Sequence, residues 1–497
     1  MVKSSSSSQN AVLDSLADPS YRKEQDPKAM SKPIQFYFKN VTEEIIGPEH
    51  GLSKKELDKL AAQIAEITRA MASERTAGNL PYRDLPYQHQ TVEKINKLAD
   101  QFKGRFDNLV VMGIGGSALG NIALQTALNS PVYNLQSNSQ RTGPRLFVID
   151  NVDPVQFGAI LDFIGNDLER TLFNVVSKSG RTAETASQFL TIAESLRQKL
   201  GNDKLKDHIV ATTDNNSGTL RDIVDREGFT SLEVPDGVGG RFSVLSDVGL
   251  FSAAMCGIDI AELLAGAAAM DERVKSEDLW SNPAALYAAI QILYYQNGKP
   301  LSVMFPYSYQ LKDLSDWFRQ LWAESLGKAT NLDGEEVFTG PTPINALGTT
   351  DQHSQVQLYR EGPNDKVFTF LDVENYDQEV TIGPSGKVDE LSYLSQRKMS
   401  ELIIAEKQAT EYALLQSKRP CLTLTFPAIS AHTVGQFIYF FEVVTSYAGG
   451  MLNINTYDQP AVELGKEATF ALMGHEKYRD LLSQIQKTCQ IDKSYLL

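Results

Sequence analysis

The sequence predicts an α/β protein with two mainly parallel sheets, each flanked by helices. Short, continuously apolar segments alternate with segments of helical periodicity, a pattern typical of parallel sheets that are covered on both faces. The alternation starts near residue 101 and starts again near residue 259. The chain has 497 residues, roughly three times a typical domain of ~150 residues, so it has room for two such units.

The first α/β unit is predicted at 101–258. Its strands are expected where short runs of apolar and branched residues occur. These runs lie at 108–112, 145–150, 172–177, 208–214 and 231–234. Helical periodicity follows the first strand at 118–128 and the third strand at 189–200. Strands separated by helices in this way predict a parallel sheet.

The second α/β unit is predicted at 259–455. Three strands are expected, at 300–305, 366–373 and 421–426. Pro420 and Pro427 bound the last of them. Helices are expected at about 259–297, 310–326 and 397–417, and from about 431 toward the C-terminus.

Three further segments complete the predicted domain organisation. Residues 1–35 include the serine run 4–8 and show little periodicity, so we expect a disordered N-terminal extension. Residues 36–100 are predicted as a helical segment, with clear periodicity at 52–72. Residues 456–497 are predicted as a helical C-terminal segment that carries Lys466.

The composition excludes several classes of function. Forty-seven Lys and Arg against 62 Asp and Glu give a formal net charge of −15, which argues against a general nucleic-acid or acidic-membrane binder. No apolar run approaches the ~18 residues of a membrane span, and no signal peptide is apparent. Cys256, Cys421 and Cys489 are far apart and fit no disulfide or metal-ligand pattern. We therefore expect a soluble, cytoplasmic protein in which any anionic substrate needs a local basic pocket.

The segment Gly113-Ile-Gly-Gly-Ser117 joins a predicted strand to a predicted helix. Its glycines would let backbone N–H groups approach an anion at the start of the helix. With Ala118 it also fits the dinucleotide pattern G-x-G-x-x-G/A, but Asp150 lies much farther along the chain than the ~20 residues that this pattern requires. A nucleotide site, a structural turn and another kind of phosphate site all remain open for this segment.

The segment Ser177-Lys-Ser-Gly-Arg-Thr-Ala-Glu184 follows the third predicted strand. Its hydroxyl, lysine, arginine and backbone donors could hold a phosphate, although a plain helix cap with solvated basic residues is the alternative. Neither this loop nor 113–117 fits the P-loop pattern. Because ligands bind such sheets at the carboxyl ends of the strands, the two loops together predict a monophosphate site.

Arg241 and Glu324 are two further candidates on the basis of local pattern, one for oxyanion stabilisation and one for general-base chemistry. Arg241 follows a glycine-rich turn and would be a permanent positive charge able to stabilise an oxyanion, unless the turn is only a surface loop. Glu324 shares one face of a predicted helix with Gln320 and Trp317, at the rim of its apolar stripe. Partial burial there would favour a general base, and ordinary solvation is the alternative.

His353 and Lys466 are further candidates, in the segments GTTDQH and DQPAVELGK. A lone histidine in a turn more often has a structural role. No histidine pair at metal-ligand spacing occurs, and no G-x-S-x-G motif is present, so neither a zinc site nor a serine nucleophile is predicted.

Six segments, taken together and in this order, resemble the phosphoglucose isomerase family of the bacterial type. They are GIGGS at 113–117, SKSGRTAE at 177–184, GGRFS at 239–243, QLWAES at 320–325, GTTDQH at 348–353 and DQPAVELGK at 458–466. Six ordered matches are far more specific than the glycine-rich loop alone. Ala461 and the pair Gly180-Arg181 depart from residues common in parts of the family, but neither departure removes a group that the chemistry requires.

The resemblance implies two sugar-isomerase (SIS) domains and the reversible isomerisation of glucose 6-phosphate and fructose 6-phosphate, in glycolysis and gluconeogenesis. It implies no cofactor and no metal ion. It also implies that Glu324 moves a proton between C2 and C1, that Arg241 faces the enediolate, and that His353 and Lys466 open and close the sugar ring. The implied substrate-binding residues are Gly116, Ser117, Ser177, Lys178, Ser179, Thr182, Glu184 and Gln320.

In this family the histidine comes from the neighbouring subunit, so the resemblance implies a homodimer with a composite active site. Two alternatives remain open. One is an isomerase that also accepts mannose 6-phosphate. The other is a non-catalytic SIS sugar-phosphate sensor, which would keep the loop 177–182 but would not need Glu324, Arg241, His353 and Lys466 together.

Overall fold

The computed structural model describes residues 31–497. Most of the predicted N-terminal extension, up to residue 30, lies outside the described residues. Its last part belongs to the fold, because Ile34 is buried and its backbone N–H donates to Gln436 Oε1 at 3.1 Å. Strand β1 (Gln35–Tyr37) follows directly.

The N-terminal segment that follows β1 is helical. Its helices are α1 (Glu43–Ile46), α2 (Lys54–Asp58), α3 (Ala61–Thr76) and α4 (His89–Phe102). The periodicity at 52–72 therefore covers two helices rather than one. Ser53 begins the first of them with a capping box to Glu56, in which each side chain accepts the backbone N–H of the other residue.

The first sheet has five parallel strands in the order β3-β2-β4-β5-β6. They are β2 (Asn108–Met112), β3 (Arg145–Ile149), β4 (Thr171–Val176), β5 (Ile209–Thr213) and β6 (Thr230–Glu233). Each lies within one residue of its predicted position. The accompanying helices are α5 (Leu119–Leu128), α6 (Pro154–Ile164), α7 (Ala183–Leu200), α8 (Leu205–His208), α9 (Thr219–Glu227) and α10 (Asp247–Met255).

The second sheet has the order β1-β12-β11-β7-β10, in which β1 is antiparallel to its neighbour and the other pairs are parallel. Its strands after β1 are β7 (Leu301–Pro306), β10 (Thr342–Asn345), β11 (Lys366–Asn375) and β12 (Cys421–Ala428). A separate antiparallel pair contains β8 (Lys328–Thr330) and β9 (Glu336–Thr339). Strands β1, β8, β9 and β10 were not predicted, because they are short and carry no continuous apolar run.

The helices of the second half complete the α/β arrangement. They are α11 (Ile260–Arg273), α12 (Pro283–Gln296), α13 (Lys312–Leu326), α14 (Val356–Glu361), α15 (Met399–Gln416), α16 (Ala431–Met451), α17 (Glu463–Leu472) and α18 (Arg479–Thr488). The fold class with two mainly parallel sheets flanked by helices is thus confirmed. The stretch predicted as helical at 259–297 forms two helices, the second of which begins at Pro283.

The two sheets share one apolar core. Leu109 on β2, Leu371 on β11 and Leu422 on β12 belong to the same cluster of buried side chains. Helix α16 is part of this core and is buried along most of its length. The other faces of the two sheets are covered by separate clusters. Within residues 31–497, no helix has the length and apolar content of a membrane span.

Candidate active site

Two loops that the sequence singled out meet at the carboxyl edge of the first sheet. Residues 113–117 join β2 to α5, and residues 177–182 join β4 to α7. Strands β2 and β4 are parallel neighbours, so both loops leave the sheet at the same edge. This is the edge at which sheets of this kind bind ligands.

The loop 177–182 is compact and rich in hydrogen-bond donors. The Ser177 hydroxyl accepts the Gly180 N–H at 3.1 Å and donates to Thr182 Oγ1 at 3.4 Å. The Ser179 hydroxyl accepts the Arg181 N–H at 3.2 Å. Thr182 immediately precedes α7, an 18-residue helix whose N-terminus favours an anion. The loop therefore has the shape and polarity of a phosphate site.

Gly180 is required at its position. Its φ is +69°, and a Cβ atom there would lie 2.2 Å from the backbone nitrogen of Leu220. The loop is also tied to the start of α9, because Thr219 N–H donates to the Ser179 carbonyl at 3.0 Å. A larger residue at 180 would push the loop 177–182 away from the start of α9.

Lys178 in this loop and Glu184 just after it have part of their side chains in solvent. The Lys178 ammonium is 3.9 Å from the carboxylate of Asp236, an exposed residue. Glu184 is in the first turn of α7. Their roles in substrate binding stay predictions.

The loop 113–117 contacts the turn that carries Arg241 and the helix that carries Gln320. A Cβ atom at Gly116 would lie 2.1 Å from the carbonyl carbon of Gly240, and one at Gly115 would lie 3.0 Å from Gln320 Nε2. Ser117 follows in the same turn and is partly buried. The glycines therefore let three segments from distant parts of the sequence come together.

Arg241 is buried and fully engaged by its neighbours. Its Nε donates to Ser325 Oγ at 2.6 Å, and its Nη1 donates to Gln459 Oε1 at 2.8 Å. Its Nη2 donates to the carbonyls of Thr456 at 2.6 Å and Asp458 at 3.2 Å. The alternative prediction, that Arg241 lies in a surface loop, is wrong, because the Arg241 side chain is only 1% exposed. These contacts hold the guanidinium in one orientation.

Glu324 faces Arg241 from the last turn of α13. Its Oε1 lies 3.5 Å from Arg241 Nη1, and its Oε2 accepts Gln320 Nε2 at 2.9 Å. The side chain is 26% exposed, so a ligand can reach the carboxylate. Burial lowers the pKa of Arg241, and the nearby Glu324 charge opposes that shift, yet the guanidinium stays charged at any physiological pH. The pair combines a reachable carboxylate with a fixed cation.

Gln320 has an unused acceptor. Its Oε1 is buried and has no hydrogen-bond partner among residues 31–497. A buried polar atom without a partner is costly, so this oxygen is an unsatisfied acceptor on the side chain that donates to Glu324.

Three residues in contact with this pair were missed by sequence reasoning. Ser325 and Gln459 bind Arg241, and Lys328 donates to the carbonyls of Glu324 at 3.0 Å and Ser325 at 2.8 Å. Ser325 and Gln459 lie inside segments that the sequence had singled out. Lys328 lies two residues after α13, where no local pattern marks it.

His353 and Lys466 are exposed and are not joined to the Glu324–Arg241 pair. His353 ends the turn Thr350–His353, and its imidazole makes no hydrogen bond or ion pair with the described residues. Lys466 is 52% exposed and pairs with Glu463 at 2.7 Å. A single chain therefore brings ten of the twelve predicted site residues to one region and leaves these two without a contact there.

Metal binding finds no support in the part of the chain that the structure describes. There, no three His, Cys, Asp or Glu side chains come together in a way that could hold a metal ion. The prediction of a metal-free and cofactor-free site stays a prediction.

Comparisons with known proteins identify the family. The family profile "Phosphoglucose isomerase" matches residues 90–488. The chain is 45% identical to the glucose-6-phosphate isomerase of Carboxydothermus hydrogenoformans over 91% of this chain and 97% of that protein. It is 40% identical to the glucose-6-phosphate isomerase of Rubrobacter xylanophilus over 90% of this chain and 99% of that protein.

Solved structures show the same fold. A hypothetical protein of Thermus thermophilus matches with a TM-score of 0.79 and 32% identity, over 89% of this chain and all of the other. A glucose-6-phosphate isomerase of Chlamydia trachomatis matches with a TM-score of 0.76 and 22% identity, over 97% of this chain and 99% of the other. With the profile match and the two close relatives, these similarities show that the chain belongs to the phosphoglucose isomerase family.

Proposed function

We propose that this protein interconverts glucose 6-phosphate and fructose 6-phosphate. The observation that carries the proposal is the Glu324–Arg241 pair, with 3.5 Å between carboxylate and guanidinium, in a chain of the phosphoglucose isomerase family. Two relatives that this chain matches along almost their whole length are named glucose-6-phosphate isomerase. Their names support the same pair of substrates for this protein.

The reaction moves one proton on carbon and one on oxygen. The Glu324 carboxylate takes the proton from C2 of the open-chain aldose, and the electron pair of that C–H bond forms the enediolate. Arg241 stabilises the negative charge on the enediolate oxygen. Glu324 returns the carbon proton to C1, while O2 gives up its hydroxyl proton and O1 takes up a proton, which gives the ketose. Both side chains are held by neighbours before substrate arrives, so little reorganisation is needed.

The phosphate loop supplies binding energy away from the reacting carbons. Ser177, Ser179 and Thr182 would hold the phosphate, with Lys178 and Glu184 beside them, while Gly116, Ser117 and Gln320 would line the sugar. Such remote binding positions C1 and C2 over the carboxylate.

Ring opening and closing are assigned to His353 and Lys466, and a homodimer completes the site. Two features support this assignment. The His353 imidazole has no partner within the described part of its own chain. The C-terminal segment exposes apolar side chains, among them Leu464, Leu472 and Met473, as expected of a surface that another subunit covers. Placement in glycolysis and gluconeogenesis and in the cytoplasm follows from the proposed reaction and the sequence prediction.

The proposal is tested with purified protein and fructose 6-phosphate, with glucose 6-phosphate detected by a coupled enzyme. We expect conversion that a chelator does not change. Mannose 6-phosphate in a parallel assay tests the broader isomerase, and its conversion at a comparable rate would extend the substrate range. Binding of sugar phosphate without any conversion would support the sensor instead and overturn the proposed function.

A further inference from the structure

Lys328 is a buried lysine at the end of the helix that carries Glu324. Its side chain is 6% exposed. Its ammonium donates to the main-chain carbonyls of Glu324 and Ser325, in the last turn of α13. The last four carbonyls of a helix have no partner inside the helix, and these two would otherwise be left without one. Lys328 thus closes the C-terminus of α13.

The position of Glu324 makes this contact relevant to catalysis. The C-terminal end of a helix carries about half a negative charge, which disfavours a carboxylate nearby. Glu324 stands two residues before the last residue of α13, so it lies at this unfavourable end. The Lys328 ammonium lies on the same carbonyls and offsets their negative charge.

Lys328 also faces the segment that holds Arg241. Its Nζ lies 3.8 Å from Asp458 Oδ1, and the main-chain carbonyl of Asp458 accepts Arg241 Nη2. The charged groups that face Lys328 are Arg241, Asp458 and Glu324. Burial and the Arg241 charge lower the pKa of Lys328, and the two carboxylates oppose that shift.

We propose that Lys328 is a positioning residue of the isomerase site, which fixes the end of α13 against residues 456–459 and offsets the negative helix end beside the Glu324 carboxylate. The proposal rests on the function proposed above. Lys328 donates its hydrogen bonds to the protein backbone and acts through Glu324 and Arg241.

The first test is Lys328→Met, which keeps the length of the buried stem and removes the charge. We expect kcat to fall about tenfold or more while KM for fructose 6-phosphate changes less than about threefold. The acid limb of the kcat–pH profile should move to higher pH by about half a unit or more, because loss of a nearby cation disfavours a carboxylate.

The matched control is Lys299→Met. Lys299 is also buried and donates to a backbone carbonyl, that of Asn364 at 2.6 Å, but its charged neighbours are Arg419 and Asp365. Its loss should leave kcat and the pH profile unchanged. If kcat falls in Lys328→Met but the acid limb of the kcat–pH profile does not move, Lys328 has only a structural role. That result would overturn the proposal.

Asp458→Asn is an independent test of the proposal if Lys328→Met does not fold. The Asp458 side chain is 48% exposed, and its carboxylate is the negative partner of Lys328. Removal of that charge should move the acid limb to lower pH, opposite to Lys328→Met. An unmoved limb would overturn the proposal. Failure of the unmodified protein to isomerise the substrate would overturn the proposed function instead, so the two failures are distinct.

Discussion

Arg241 contacts both Glu324 and the residue that follows it on α13. Its Nη1 lies 3.5 Å from the Glu324 carboxylate, and its Nε donates to the hydroxyl of Ser325, the next residue on α13. The same guanidinium holds residues 456–459 through its other donors. One buried cation therefore links the first half of the chain, the helix of the proposed base and the start of the C-terminal segment.

Arg241→Lys should lower kcat by about a hundredfold to a thousandfold, the usual cost of removing one donor from an oxyanion site. Lysine keeps the charge but cannot reproduce the four hydrogen bonds of a planar guanidinium. The matched control is Arg419→Lys, at a buried arginine that donates to the carbonyls of Tyr359, Arg360 and Gly362. Equal losses of kcat in both variants would contradict a special role of Arg241.

Gly180→Ala should weaken phosphate binding. The added Cβ atom would meet the Leu220 backbone nitrogen at 2.2 Å, so the loop 177–182 must shift. We expect KM for glucose 6-phosphate and the inhibition constant of inorganic phosphate to rise at least about tenfold. Gly201→Ala is the control, since Gly201 also has positive φ but open space around it. Unchanged phosphate affinity in Gly180→Ala would contradict the assignment of the loop 177–182 as the phosphate site.

Glu442 should make the protein less stable as pH rises. It is fully buried on α16, and neither carboxylate oxygen has a hydrogen-bond partner among the described residues. Burial raises the pKa of Glu442 well above its usual 4.5, and Arg83 opposes this only in part. Above pH 4.5 the unfolded chain releases this proton while the folded chain keeps it, so the free energy of unfolding falls with pH.

The measurement is the unfolding free energy of the protein and of Glu442→Gln between pH 5 and 8. The stability of Glu442→Gln relative to the unmodified protein should rise by up to about 1.4 kcal/mol per pH unit until the folded-state pKa is passed. Glu66→Gln, at an exposed position on α3, is the control and should show no such trend. A constant difference across this range would show that Glu442 is ionised in the folded protein.

Inactive His353→Ala and Glu324→Gln chains should regain activity when they are mixed. If His353 serves the site of the neighbouring subunit, each mixed dimer has one site with both residues intact. The expected recovery is up to about a quarter of normal activity for random pairing of equal amounts. Rates of each variant on an open-chain substrate analogue separate the two roles, because only Glu324→Gln should fail there. No recovery in demonstrated mixed dimers would contradict the composite site.

The sequence predicted the first sheet closely and the second sheet incompletely. Strands such as Asn108–Met112 and Thr171–Val176 are buried along their whole length, so their residues are continuously apolar and recognisable. Thr342–Asn345 is short and only partly buried, so its pairing with β7 leaves no local signal. The shared core of the two sheets depends on contacts between residues hundreds of positions apart, which periodicity does not report.

In the candidate site, too, local features could be predicted from the sequence and contacts between distant residues could not. The phosphate loop and the Glu324 rim position were recognisable because glycines, hydroxyls and helical spacing are local features. Lys328 and Gln459 were missed because their importance comes from hydrogen bonds to groups brought close by the fold. His353 and Lys466 were singled out from family resemblance, and contacts within one chain do not connect them to the proposed base.

The most direct test of the central claim is the rate of Glu324→Gln. Glutamine keeps the shape and can still pair with Gln320, but its amide cannot take and return a proton. Glu194→Gln is the matched control, because Glu194 also accepts a glutamine side chain four residues away, Gln198, on an exposed part of α7. We predict that Glu324→Gln keeps KM within a few-fold and loses at least about a thousandfold in kcat, while Glu194→Gln is unaffected. A Glu324→Gln enzyme that retains about a tenth of normal kcat would contradict the assignment of Glu324 as the base.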